Sequence, residues 1–268
     1  MDRVSQLPDG ICHVVEGSGP VVTAAIHSGH LVRPDVERQL ALDEDTRLRE
    51  EDPLTAVWTH IADTRVTVER SRFEVDLNRP REQALYLSPD QAWGLPLWNA
   101  PPSERTVKRS QREHDRFYER LARLLDHMIE EHGVFVVYDI HSYNHRRQGP
   151  DAAPASSSRN PHINVGTGNL DRRRWGPVVD AFLGSIREGL VNGCPIDARE
   201  NVKFRGGYLS EWVARNYGTR GCALAIEVKK IYMDEWTGEP DWEVIGEIGA
   251  ALRHTIPAVV EATEEIRG

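Results

Sequence analysis

Two stretches decide the fold: VVTAAIHS, residues 21–28, and VFVVYDIHS, residues 134–142. Each is a run of apolar, largely β-branched residues bounded by loop signals, the pattern of a strand buried in a sheet. Each closes on the same tripeptide, Ile26-His27-Ser28 and Ile140-His141-Ser142. In open α/β sheets, residues just past the carboxyl ends of strands face the crevice where ligands bind. Two imidazoles so placed are the start of a metal site. The other reading of the pair is two histidines satisfied at loop starts.

Working outward, Glu104–His132 has Phe117, Leu121, Leu124, Leu125 and Met128 at three- and four-residue spacing, with Gly133 placed as a C-cap. That predicts a long amphipathic helix. Ile163–Val165 reads as a short strand, Asp171 as the cap of a helix running to about Leu190, and Tyr208–Tyr217 as a helix. Ala223–Ile231 (ALAIEVKKI) is another buried strand, and Asp241–Glu264 a closing helix. Pro34–Glu51 is polar and acidic, an exposed loop or short helix, and Asp52-Pro53 opens a helix through Ile61. Arg65–Val75 alternates as strands do and ends in Asp76-Leu77-Asn78-Arg79-Pro80. Residues 81–105 form a Pro- and Trp-containing excursion, a surface or lid segment, and 145–162 a flexible loop. Strands alternating with helices predict one three-layer α/β domain over residues 1–268.

Composition narrows the function. With 42 acidic and 33 basic residues the formal charge is −9, which disfavours nucleic acid as a partner. A small anion held by a few local arginines remains compatible. The three cysteines, Cys12, Cys194 and Cys222, are too few and scattered for a disulfide framework or a cysteine zinc site. Residues 1–19 hold no continuous apolar stretch of signal-peptide type, and no later run reaches membrane-spanning length. The expectation is a cytoplasmic protein with reduced thiols and no membrane partner.

Three clusters carry chemistry. Catalytic zinc takes three protein ligands, imidazole and carboxylate among them, and keeps a position open. His27 and His141 supply two. The third is open among His30, in His27-Ser28-Gly29-His30, and the acidic pair Glu51-Asp52. The 43–52 stretch also reads as a solvated acidic face. In the run from Ser71 to Pro80, Asn78 and Arg79 can orient a substrate carbonyl and carboxylate, since a guanidinium binds carboxylates bidentately. Equally, Asp76–Arg interactions can simply stabilise that loop. Glu227, flanked by Ile226 and Val228, is a poorly solvated carboxylate suited to proton transfer, or half of a buried pair with Lys229 or Lys230.

Together these segments resemble the N-formylglutamate amidohydrolase family and, more distantly, the zinc carboxypeptidase and aspartoacylase group. The family's Pro-His-Ser/Ala-Gly aligns with Ile26-His27-Ser28-Gly29, and its Ser-Arg-Phe-x-x-Asp-Leu-Asn-Arg-Pro matches residues 71–80 without a gap. Its Asp-x-His-Ser matches Asp139–Ser142, its Phe-Lys-Gly-Gly resembles Phe204-Arg205-Gly206-Gly207, and its Leu-Glu-Leu then Tyr-Met resembles Ile226-Glu227-Val228 with Tyr232-Met233. The resemblance implies a three-layer α/β/α sandwich around a mixed sheet, of the zinc-carboxypeptidase (phosphorylase/hydrolase-like) type. It implies one zinc ion, or another divalent transition metal in its place, on His27, His141 and an acidic residue, which favours Asp52 or Glu51 over His30. It makes Glu227 the general base and acid, Arg79 or Asn78 the group that stabilises the oxyanion, and Arg72 and Arg205 further substrate-holding groups. The implied reaction is hydrolysis of the amide of an N-formyl or N-acyl amino acid, a linear amide and not a peptide bond. A carboxypeptidase-like peptidase and a non-catalytic metal- or ligand-binding protein on the same scaffold are the alternatives. The chain departs from the family around EEDPLT, where no aromatic residue follows the acidic pair, before Ser71, and in the loop from Tyr143 to His162, where substrate choice would be set.

Overall fold

The computed structural model describes residues 3–6 and 11–267. In chain order the elements are β1 (Arg3–Gln6), β2 (Cys12–Glu16), β3 (Val21–Ala25), α1 (Pro34–Glu37), α2 (Glu44–Glu50), β4 (Thr64–Val68), α3 (Glu104–His132) and β5 (Phe135–Tyr143). There follow β6 (Ile163–Gly166), α4 (Arg172–Ile186), β7 (Leu190–Val191), β8 (Cys194–Pro195), β9 (Ala198–Glu200), α5 (Tyr208–Tyr217), β10 (Gly221–Lys229) and α6 (Trp242–Arg267). Eight strands form one mixed sheet in the order β1-β2-β4-β3-β5-β10-β6-β9, and β7 and β8 form a separate hairpin. The middle four, β4, β3, β5 and β10, are mutually parallel; β2 runs antiparallel to both its neighbours, β1 and β4, whereas β6 runs antiparallel to β10 and parallel to β9.

Helices cover both faces, which is why β5 is buried along its whole length. Its side chains alternate with the two-residue period of a strand. Val136, Tyr138 and Ile140 join the core with Phe182 of α4 and Leu252 and Val259 of α6. Phe135 and Val137 join the opposite core with Leu121 and Leu125 of α3 and Val213 of α5. Helix α3 spans the predicted residues: Ser103 accepts from the Thr106 N–H, and the Gly133 N–H donates to Ile129 at 2.8 Å with φ 78°.

Several expectations give way to tertiary demands. No α-helix opens at Asp52-Pro53: Leu54 adopts φ 67° and a 3₁₀ turn covers Thr55–Ile61. The left-handed Leu54 interrupts any α-helical run from Asp52, whose N–H donates instead to the His27 carbonyl at 3.0 Å and ties the segment to the turn after β3. The strand begun at Arg65 stops at Val68, because the chain then turns on itself, with the Glu74 N–H donating to Ser71. Helix α4 ends at Ile186, short of Leu190. The 43–52 stretch is a solvated face only at its start, Asp43–Asp45, since Glu50, Glu51 and Asp52 are buried. The 81–105 excursion contributes Tyr86, Ala92 and Leu97 to a third apolar cluster with Val36, Leu40 and Phe73. The two Ile-His-Ser tripeptides are not equivalent either: β3 ends before His27, whereas β5 runs on through His141.

Candidate active site

His27 sits just past β3, in a turn that crosses close over another segment. A Cβ on Gly29 would lie 2.2 Å from the Glu69 carbonyl carbon, so only glycine permits this crossing. His141 lies inside β5, and its ring centroid is 4.8 Å from that of His27. The two Nδ1 atoms converge on one carboxylate oxygen: Asp52 Oδ2 is 3.4 Å from His27 and 3.0 Å from His141. Ser142 Oγ donates to the other oxygen of Asp52 at 3.2 Å. Each imidazole is backed on its far side by a second carboxylate, His27 Nε2 by Asp76 at 2.7 Å and His141 Nε2 by Asp139 at 2.9 Å.

Asp52 and Asp76 are held in the ionised form despite their burial. Burial pushes Asp52 up, yet the hydrogen bond from His141 and the closeness of both imidazoles hold it well below the ordinary carboxylate range. Asp76 is held low in the same way, by Arg72, His27 and Tyr86 working against burial. Burial acts to lower His141, but Asp139, Asp52 and Glu227 raise it well above the usual imidazole range.

His27, Asp52 and His141 each offer one ligand atom within 4.8 Å of the others. His27 Nδ1 is buried with no hydrogen-bond partner while Nε2 faces Asp76, so its lone pair is one that a metal would satisfy. Two imidazoles and a carboxylate form a donor set of the zinc type, and carboxylates behind the histidines orient them as metal-bound imidazoles require. The residues fit a metal ion. Neither Glu51 nor His30 joins them. Glu51 accepts from Ser71 and pairs with His30 Nδ1 at 2.5 Å, an interaction that raises the His30 pKa.

Glu227 is the cross-strand partner of His141 in the β5–β10 pairing, which sets it beside the cluster. It lines the cavity, and burial pushes it up to about 7. Among the described residues no ion pair joins it to Lys229 or Lys230; Lys230 Nζ donates instead to the carbonyls of Arg49 and Glu51. The buried Glu–Lys reading is therefore set aside.

The cavity, about 370 Å³, also takes in the other candidate residues. Arg72 is engaged by Asp76 at 3.1 Å and by the Tyr86 hydroxyl at 3.1 Å, so it braces the carboxylate behind His27. Asn78 reaches His141 Nε2 at 3.5 Å while its Oδ1 accepts from the Leu209 N–H at 3.0 Å, tying the cluster to the start of α5. Gly207 lets it approach, as a Cβ there would meet Asn78 Oδ1 at 2.3 Å. Arg79 is half-exposed, 4.0 Å from Asp76. Arg205 lines the cavity and forms no ion pair among the described residues. Sequence reasoning gave no site role to the lining residues Glu50, Trp93, Asn144, Arg147 and Lys203, and weighed Lys230 only as a partner of Glu227. It also gave no site role to Asp139 and Asp76. Asp139 had a usable signal, since i and i+2 share a face of a strand. Asp76 had none beyond its place in the 71–80 run.

The profile of the N-formylglutamate amidohydrolase family matches residues 19–233. The fold is similar to that of N-formylglutamate amidohydrolase from Ralstonia eutropha JMP134, with a TM-score of 0.73 at 17% identity over 96% of this chain and 98% of that one. A gene product of Agrobacterium tumefaciens is also similar, with a TM-score of 0.65 at 18% identity over 95% and 96% of the two chains. A metallo-carboxypeptidase from Burkholderia cenocepacia gives a TM-score of 0.40 at 15% identity, over 94% of this chain and 61% of that one. No curated protein matches the chain in sequence. With the family profile covering most of the chain and the family's residues gathered round one cavity, the chain belongs to the N-formylglutamate amidohydrolase family.

Proposed function

We propose that this chain is a zinc-dependent hydrolase of the amide bond of an N-formyl or N-acyl amino acid. Membership of the family implies a hydrolase acting on an amide. The observation that carries the finer reading is the convergence of both Nδ1 atoms on Asp52, each ring backed by its own carboxylate, with Glu227 beside them. His27, Asp52 and His141 would hold the ion. A zinc ion there supplies Lewis acidity, acidifying water and polarising the amide carbonyl.

The remaining work falls to the chain's own side chains. Glu227, raised to about 7, has the proton affinity to take a proton from the attacking water and hand it to the leaving amine. Arg79 and Asn78, which line the cavity, would donate to the carbonyl oxygen as it gains charge. Arg205, without an ion-pair partner among the described residues, would take the substrate carboxylate, with Arg72 holding Asp76 in place behind His27. The substrate is a small anion that fits a cavity of about 370 Å³. No described helix is long and apolar enough to cross a membrane, and the cysteines are all free, which accords with a cytoplasmic protein.

The test joins metal analysis of the purified protein to a screen of N-formyl and N-acetyl amino acids. Stoichiometric zinc and release of free amino acid are the expected results. A metal-free protein that hydrolyses these amides would overturn the zinc reading, and a zinc protein preferring peptides over acyl amino acids would overturn the substrate reading.

A further inference from the structure

Asp52 stands apart from the two histidines in what supports it. It lies on a segment with no regular structure, between the end of α2 at Glu50 and the 3₁₀ turn that starts at Thr55. A helix end leaves carbonyls without intrahelical partners, and buried carbonyls need donors from elsewhere. Here three side chains from the carboxyl ends of β5 and β10 supply them. Lys230 Nζ donates to Arg49 O at 2.6 Å and to Glu51 O at 2.7 Å. Asn144 Nδ2 donates to Arg49 O at 2.9 Å, and the Tyr232 hydroxyl to Pro53 O at 2.9 Å.

Lys230 is the most costly member of this set. It is 2% exposed and forms no ion pair among the described residues. Burying an ammonium with no direct ion pair is expensive, even with the carboxylates of Asp52, Glu50 and Glu235 in the neighbourhood, and an apolar side chain of similar length would fill the space more cheaply. What an apolar side chain could not do is bind the carbonyl immediately before Asp52. The Lys230 N–H also donates to Tyr143 O at 3.0 Å, two residues beyond His141, so one residue grips both the strand of one candidate ligand and the loop of another.

We propose that Lys230 is a positioning residue for the metal centre, holding the Asp52 loop against the end of β5 so that the third ligand is set in place before the metal arrives. Asn144 and Tyr232 are its auxiliaries. The inference rests on the zinc reading above. It predicts that Lys230→Met, with the fold retained, weakens zinc binding roughly 10- to 100-fold, the range usual for residues that orient metal ligands. The measurement is chelator competition for zinc on the purified protein, alongside thermal unfolding of the metal-free form. A role in general stability would lower the midpoint of the metal-free form and leave zinc affinity unchanged. Asn144→Ala removes one auxiliary donor and leaves the cation; it should weaken zinc several-fold and keeps the test open if Lys230→Met does not fold. Zinc affinity within twofold of wild type in a folded Lys230→Met, or in Asn144→Ala where the first does not fold, overturns the proposal. If the wild-type protein binds no zinc, the metal reading itself fails and this inference goes with it.

Discussion

The cavity has two walls of different construction. The inner wall is made by strand ends and the turns packed on them: His141 and Glu227 face each other across a pair of parallel strands, and His27 and Asp52 are buried beside them. The outer wall comes from the 81–105 excursion, the 145–162 loop and the approach to α5, and it is open. Trp93 is 46% exposed, with the guanidinium groups of Arg72 and Arg147 at 4.9 and 5.8 Å from its ring centroid. Arg147 pairs with Glu50 at 3.0 Å, and Lys203 reaches across to Asn160 at 2.7 Å. The difference separates two tasks. On the reading proposed above, groups that need fixed geometry and shifted proton affinities would be those on the sheet and the buried turns packed on it, and groups that meet the variable part of a substrate those on exposed loops.

If that division is right, damage to the inner wall should abolish turnover, and damage to the outer wall should only redirect it. The largest effect belongs to His141→Ala and Asp52→Asn, which should each release the metal and bring hydrolysis to background, measured by metal content and product assay. Treatment of the wild type with a strong chelator should do the same, reversibly on adding zinc. Glu227→Gln should lower kcat by roughly 10²- to 10⁴-fold with the metal still bound, as expected of a lost general base. Near-full activity in that variant would remove Glu227 from the mechanism.

Glu227 also yields a test in metal-free protein. Its unfolded-state value is near 4.5 and its folded value about 7, so the folded form holds the proton more tightly. Its contribution to stability is therefore fully present below pH 4.5 and is lost as pH rises through about 7. Glu227→Gln should accordingly unfold at a higher temperature than wild type at pH 8 and show little difference at pH 4.5, read by thermal melts across that window. On the outer wall, Arg205→Ala should raise KM roughly 10- to 100-fold with a much smaller change in kcat, the loss of one charged hydrogen-bonded contact. Smallest of all, Trp93→Ala removes contacts of roughly 1 kcal/mol or less and should leave kcat for the smallest acyl amino acids within about twofold, shifting preference only among bulkier ones. A collapse of kcat in Trp93→Ala would break the division between the walls.

The inner wall was the more legible in sequence, for a physical reason. Buried strands must be apolar on both faces, so a histidine or glutamate set in VFVVYDIHS or ALAIEVKKI stands out against its neighbours. The outer wall offered no such contrast, since loop residues are polar whether or not they touch a ligand. Arg147 and Lys203 therefore went unremarked. The same limit applied to the 43–52 stretch. Its acidic composition reads as solvated, and only the folded chain shows Glu51 turned to His30 and Ser71 while Asp52 turns to the histidines. Glu51 is extended, with φ −77° and ψ −179°, so adjacent carboxylates go to different partners, and which of them meets the histidines is set by where the segment packs.

By itself the sequence determined the layered α/β arrangement, the long helix at Glu104–His132, the two histidines and the buried glutamate, because hydrophobic periodicity and burial leave a mark on residue type at every position they constrain. Only the tertiary structure decided which carboxylate joins the histidines, which carboxylates back them, and what holds the Asp52 loop. These outcomes rest on contacts between segments far apart in the chain, His27 with Asp76, His141 with Asp52, Lys230 with Glu51, whose pairing is set when the strands come into register and not before.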